Sequence, residues 1–186
     1  MLVLIGESAS GKSSVARYLV NNFGFNNIIT YTTREPREGE VDGIDYHFVS
    51  KLQFENMSIL GLFAETAEYN GQYYGSVKED FENDCDNKIA ILTPHGIRQI
   101  KKNGIDIYVA YIKIPRRDRI IKILQRGDNI EEAYRRSLSD VGQFDGIEDE
   151  ADLIIENVGY KKSIQQISKN IFEIYKNYIG IETIFY

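Results

Sequence analysis

At 186 residues, 42% hydrophobic and 27% charged with three prolines, the chain is long enough for one good core and reads as a globular protein. Its net charge of −6 argues against a nucleic-acid binder relying on phosphate-backbone contacts, so a basic site here is local and suits a small anion. No apolar run of about eighteen residues spans a membrane, no secretory leader is evident, and the single Cys85 has no internal disulfide partner, so a reducing cytoplasm is expected.

The first element is "MLVLI" (Met1–Ile5), an unbroken apolar run that suits a central strand of a parallel sheet covered on both faces. From Gly11 the pattern turns helical, with Val15, Ala16, Leu19, Val20 and Phe23 on one face. "NIIT" reads as a second strand. Tyr31 to Gly75 is rich in Gly, Tyr and Thr, with strand-like "DYHFVS" and "QYYGSV" around a short helix starting near Ser50, and reads as an inserted, mostly β subdomain. A helix is expected from about Val77, a strand at "KIAIL", a helix over Gly96–Asn103 and a strand over Ile105–Ile114. "RRDRIIKILQRG" and "EEAYRRSLSDV" make a charged helical pair, "DLIIEN" a last strand, and Ile164, Ile167, Ile171, Ile174 and Tyr178 line one face of a final helix. The alternation predicts a doubly wound parallel sheet with two excursions, Tyr31–Gly75 and roughly Pro115–Ser137.

"GESASGKS" (Gly6–Ser13) fits G-x-x-x-x-G-K-[ST] at every specified position, between a buried strand and a helix. A chance match in a chain this long is roughly a one-in-a-hundred event on average residue frequencies. Its glycines let backbone N–H groups turn toward phosphates, and the helix N-terminus adds its dipole. The residues expected at a nucleoside triphosphate are Gly6, Ser8, Ala9, Ser10, Gly11, Lys12, Ser13 and Ser14. Lys12 would reach the β- and γ-phosphates, and the Ser13 hydroxyl would ligate Mg²⁺.

A phosphate loop alone does not separate kinases from switches or motors. "TYTTREPREGEVDGIDYHF" adds Arg34 and Arg37, whose planar forks suit a second phosphate, and Tyr46 with Tyr74 can donate hydroxyls to it. "TYTTREPREGEVDGIDYHFVS" followed by "FAETAEYNGQYYGSV" resembles the nucleoside-monophosphate-binding region of guanylate kinases, and the resemblance covers nearly the whole chain in the same order. It implies a P-loop NTPase fold of three layers: a core (1–29, 77–114, 138–186), a GMP-binding subdomain (30–76) and a helical lid (115–137). By position, Arg34, Arg37, Tyr46 and Tyr74 would bind the GMP phosphate, with Glu40 and Asp45 bracing that cluster. Thr30, Glu65 and Ser76 would read guanine. The chemistry agrees: a carboxylate accepts both N1–H and N2–H of guanine, whereas adenine offers it an acceptor at N1.

Seven of the chain's 22 Lys and Arg residues (Arg116, Arg117, Arg119, Lys122, Arg126, Arg135 and Arg136) crowd the lid. Phosphoryl transfer builds negative charge that cations brought in on closure stabilise. The family's "R-x-x-x-R-G" places Lys122, Arg126 and Arg136 in that role, with lysine where the family has arginine and a lid one residue shorter. Others of these arginines are expected in solvated ion pairs. Asn157 matches a family asparagine on the adenine side.

The chain departs from the family at "AILTPHG", where Ile91 and Thr93 replace two aspartates that help hold Mg²⁺ and contact GMP. Mg²⁺ keeps several waters, so Ser13 and the phosphates would suffice, and Thr93 would contact GMP as an uncharged substitute. His95 reads as structural, and His47 has no assigned role. The resemblance implies Mg²⁺-dependent, in-line phosphorylation of GMP and dGMP by ATP, with ATP and GMP as partners, in a monomer or homodimer. Two alternatives stay open: a related P-loop kinase for another small phosphate, and a nucleotide-binding module that has lost catalysis. The apolar tail "IGIETIFY" has no assigned role.

Overall fold

The computed structural model describes residues 1–180 except 38, 70, 83, 84, 126, 128 and 129, with backbone alone at 132, 133 and 136. Five strands, β1 (Leu2–Ile5), β2 (Asn26–Asn27), β7 (Lys88–Ile91), β8 (Tyr108–Lys113) and β9 (Leu153–Glu156), form a parallel sheet in the order β2-β7-β1-β8-β9. The unbroken apolar run of β1 is explained by burial on both faces. Leu2 and Leu4 pack with Val15 and Leu19 of α1 (Lys12–Phe23) and with Ile167, Ile171 and Tyr175 of α6 (Ile164–Tyr178). Val3 and Ile5 face the other way, onto Ile97 and Ile100 of α3 (Pro94–Lys102) and Ile147. The result is a three-layer α/β fold in which the chain crosses from β1 to β2 and back to β7 on one side, then passes over β1 to β8 and β9 on the other. Ligands of such sheets bind beyond the carboxyl ends of the strands where the order reverses, and the Gly6–Ser13 loop lies there.

A second sheet has the order β4-β3-β6-β5, from β3 (Tyr31–Thr32), β4 (His47–Phe48), β5 (Phe63–Tyr69) and β6 (Gln72–Val77). Its apolar centre is the ring of Phe54, from α2 (Lys51–Ile59), stacked between Phe63 at 4.5 Å and Tyr73 at 5.6 Å. The Ser50–Gln53 capping box starts α2 where the sequence placed it. The two sheets are joined through α3. The Gln99 side chain accepts the Thr66 N–H (3.0 Å) and donates to the Thr66 carbonyl (2.8 Å), while Asn103 donates to the Ala64 carbonyl (3.0 Å). Those amides continue the ladder of β5 and so fix Glu65, which lies between their partners.

Several elements differ from expectation. The helix expected from Val77 is a pair of short 3₁₀ turns, Lys78–Phe81 and Cys85–Asn87, because only Phe81 there supplies a buried apolar anchor. The strand expected at "NIIT" (27–30) starts one residue earlier and is confined to Asn26–Asn27, continued by one bond from the Ile28 N–H to the Ile89 carbonyl. The third helix starts earlier, at Pro94, since Thr93 caps it by accepting the Gly96 N–H (3.0 Å). The charged pair of helices forms as α4 (Arg116–Gln125) and α5 (Ile130–Ser139). The tail beyond residue 180 lies outside the described residues.

Gly75 sits where β6 crosses the aromatic stack: a Cβ there would stand 2.9 Å from Phe63 Cδ1 and 3.1 Å from Phe54 Cζ. Gly75→Ala is expected to destabilise the fold by about 1–3 kcal/mol through displacement of both rings. A lowered urea midpoint at unchanged slope checks this, and an unchanged midpoint contradicts it.

Candidate active site

β1 enters the phosphate loop at Gly6, where a Cβ would meet the Ile112 carbonyl of β8 at 2.7 Å, so the loop's base is seated on the neighbouring strand. Gly11 (φ 94°) and Ala9 (φ 66°) take left-handed backbone, and the Ala9 carbonyl accepts the Tyr160 hydroxyl at 2.9 Å. Lys12 lies over the loop and donates to the carbonyls of Gly6 and Glu7. Burial pushes its ammonium pKa down to about 8, against an upward pull from Asp140 and Glu7. Ser13 follows at the start of α1.

From this loop a cavity of about 700 Å³ runs to the second sheet. Gly6, Ser8, Ala9, Ser10, Gly11, Lys12, Ser13 and Ser14 line one end. Thr30, Arg34, Arg37, Tyr46, Glu65, Tyr74 and Thr93 line the other, and Asn157 and Lys122 form part of a third wall. Glu40 and Ser76 stand behind that lining. The Glu40 carboxylate accepts two bonds from Arg34 Nη2, each 2.9 Å, and one from the Arg37 N–H at 2.7 Å. Arg34 also lies over the Tyr46 ring, 5.3 Å from its centroid. Burial, first among several causes, raises the Tyr46 hydroxyl above its ordinary pKa. Asp45 does not brace these arginines: it accepts the Val41 N–H (2.9 Å) and pairs with Arg17 (3.5 Å), so it shapes the loop itself.

Glu65 is 3% exposed. Its Oε1 accepts the buried Ser76 hydroxyl at 2.8 Å, and Thr30 Oγ1 lies 3.5 Å from that hydroxyl. On its other side, a Cβ at Gly96 would stand 2.8 Å from Oε2, so only glycine leaves room there. Burial pushes the Glu65 carboxyl pKa up to about 7, partly countered by the bonds from Ser76.

On the lid side, Lys122 is exposed with its ammonium 5.5 Å from the Tyr160 ring centroid. Arg126 and the side chain of Arg136 lie outside the described residues. His95 does not line the cavity; it is exposed and borders a smaller hollow with Phe54 and Tyr73. His47 packs on the Tyr31 ring at 4.5 Å. Sequence reasoning missed Asp140 and Glu7 and misplaced Arg119. Arg119 was read among the lid cations, yet it is 5% exposed and pairs with Asp140 (2.9 Å) and Glu7 (3.4 Å) beneath the phosphate loop. Its one sequence signal is the i, i+4 spacing from Ile123, the buried apolar residue on the same face of α4.

The cavity thus joins an anion-binding loop to a paired-arginine cluster and a buried carboxylate, a layout for two phosphates and one base. A family model described as guanylate kinase matches residues 1–174. A guanylate kinase of Trichormus variabilis is 32% identical over 177 residues, covering 92% of this chain and 89% of that protein. One from Rickettsia bellii is 30% identical over 178 residues, 93% of both chains. One from Schizosaccharomyces pombe is 34% identical over 143 residues, 74% of this chain and 71% of that protein. The crystal structure of guanylate kinase from Anaplasma phagocytophilum shares the fold, with a TM-score of 0.70 at 21% identity, covering 96% of this chain and 85% of that chain. Matched along nearly its whole length by motif, sequence and fold, this chain belongs to the guanylate kinase family.

Proposed function

We propose that the chain transfers the γ-phosphoryl group of ATP to GMP, and to dGMP, giving the diphosphate and ADP. The observation that carries this reading is Glu65: a carboxylate buried at the far end of the cavity that begins at the phosphate loop. A carboxylate withdrawn from water is restored by a ligand that donates two hydrogen bonds, as the Watson–Crick edge of guanine does. Thr30 and Ser76 complete that edge, and Thr93 borders it. Arg34, Arg37, Tyr46 and Tyr74 hold the GMP phosphate, with Glu40 holding the Arg34 guanidinium and the Arg37 backbone. In this reading residues 30–76 form the GMP-binding subdomain, 115–137 the lid, and the rest the core.

The donor's phosphates lie on Gly6 and Ser8–Ser14, with Lys12 at the β- and γ-oxygens and Asn157 toward adenine. The donor set fits Mg²⁺, which needs one or two hard protein oxygens beside phosphates and water; the Ser13 hydroxyl is the one assigned. Bound there, Mg²⁺ would neutralise phosphate charge. Lys122, Arg126 and Arg136 bring further positive charge on closure, and the two substrates are held for in-line transfer with no covalent intermediate. The free thiol of Cys85 suits a reducing cytoplasm. Lys12, seated in the loop, favours this reading over a binding module despite Ile91 and Thr93.

Coupled ADP release with ATP and Mg²⁺ is expected with GMP and dGMP and not with AMP, UMP or ribose bisphosphate. No turnover of GMP under conditions where it binds contradicts the reading.

Glu65→Gln is expected to raise the KM for GMP by about a hundredfold while leaving that for ATP within about twofold. The pH dependence has a defined sign. Guanine needs the ionised carboxylate, and a carboxyl near 7 is protonated below that pH, so GMP affinity rises with pH up to about 7. Well below 7 the slope is about tenfold per pH unit. The ligand's phosphate also titrates, near about 6, but does so equally with both proteins. The difference between the wild-type and Glu65→Gln profiles isolates Glu65, and parallel profiles would show that it does not read the base.

A further inference from the structure

Beneath the phosphate loop three distant parts of the chain meet on a buried ion pair. Arg119, in the first turn of α4, donates through Nη1 to Asp140 (2.9 Å) and to the Ser8 carbonyl (3.3 Å). Its Nε donates to the Ile114 carbonyl (3.1 Å), and Nη2 pairs with Glu7 (3.4 Å). Asp140 follows the last turn of α5 and is 7% exposed. Its Oδ2 accepts the Ser8 N–H (3.0 Å) and its Oδ1 the Ser8 hydroxyl (3.3 Å). Glu7 in turn accepts the Tyr111 hydroxyl at 3.2 Å.

A buried pair is a poor means of raising stability, because desolvation of two charges consumes most of the attraction and apolar side chains do as well. Its position is also unfavourable on its face: Asp140 lines the cavity beside Lys12, where an unpaired carboxylate would meet a triphosphate as a like charge. Two facts remove the conflict. The carboxylate is spent on the loop's own Ser8, and a guanidinium lies directly behind it. We propose that Arg119 and Asp140 are positioning residues for the phosphoryl donor: Asp140 holds Ser8 so that the loop is shaped before ATP arrives, and Arg119 cancels the carboxylate charge that would otherwise repel ATP. The inference rests on the reading of this cavity as the ATP end of a kinase. It also ties both lid helices, α4 by Arg119 and α5 by Asp140, to the loop that holds the transferred phosphate.

The test compares wild type, Arg119→Met, Asp140→Asn and the double variant. ATP and GMP binding are each titrated alone by calorimetry, and urea unfolding is followed in parallel. Arg119→Met leaves an unpaired carboxylate and is expected to weaken ATP at least about tenfold, with GMP within about twofold. Adding Asp140→Asn removes that charge while its amide oxygen still accepts from Ser8, so most of the ATP loss is recovered. Asp140→Asn alone keeps ATP within about threefold, since the bond to Ser8 survives. A purely structural pair would lower the urea midpoint and weaken both ligands together, or leave the double variant no better than Arg119→Met; either result overturns the proposal. Should Arg119→Met not fold, Arg119→Lys with and without Asp140→Asn makes the same comparison. Lysine reaches fewer of the four acceptors, so a smaller ATP-selective loss that Asp140→Asn recovers is expected, and no such loss overturns the proposal. If the wild type binds ATP but not GMP, the kinase reading fails while the four ATP titrations, set against the urea midpoints, still decide the role of the pair.

Discussion

A carboxylate held almost out of water is the constraint around which the second sheet and α3 are arranged. Burying the Glu65 charge costs several kcal/mol unless partners replace its hydration, and the Ser76 hydroxyl supplies one. The other oxygen lies against Gly96, and the residues around it fix its place. Gly96 leaves room beside it, Gln99 and Asn103 clamp the strand on either side of it, and Thr93 caps the helix that carries Gly96 and Gln99 and ends at Asn103. One helix thus sets the distance between the Glu65 carboxylate and the parallel sheet that bears the Gly6–Ser13 loop.

The cationic side chains that line the cavity follow the same logic of charge held by countercharge. The Arg34 guanidinium is held by Glu40, which also accepts the backbone N–H of the exposed Arg37. Lys12 rests on loop carbonyls, and its desolvation is moderated by Asp140 and Glu7. Side chains anchored in advance lose less entropy when substrate arrives, which is how preorganised sites concentrate binding energy on the reacting groups.

The parts legible in the sequence were those whose physics is local. A phosphate loop needs glycines, a lysine and a hydroxyl at fixed spacing, so Gly6–Ser13 declared itself. The buried strands Leu2–Ile5 and Tyr108–Lys113 are apolar on both faces and could not be surface loops. The strand Phe63–Tyr69 was hidden because "FAETAEY" has little intrinsic strand preference; its antiparallel pairing with Gln72–Val77 and its clamp to α3 decide the matter. The converse error was the helix expected from Val77, where charged residues without a periodic apolar face support only 3₁₀ turns. Arg119 and Asp140 lie in charged, helical sequence that looks solvated. Only the approach of α4 and the end of α5 to Ser8 gives them meaning, and that approach is a tertiary fact. Asp45 was misjudged similarly, since short-range loop bonds leave no mark distinguishing them from a brace on an arginine.

The central claim is that one cavity brings ATP and GMP together for direct transfer. Phosphorus NMR of the protein with ATP, GMP and Mg²⁺ tests it most directly. The account predicts that the GMP resonance is replaced by the two resonances of GDP as an equal amount of ADP forms, with no inorganic phosphate. ATP consumed to ADP and inorganic phosphate while GMP stays intact would contradict it.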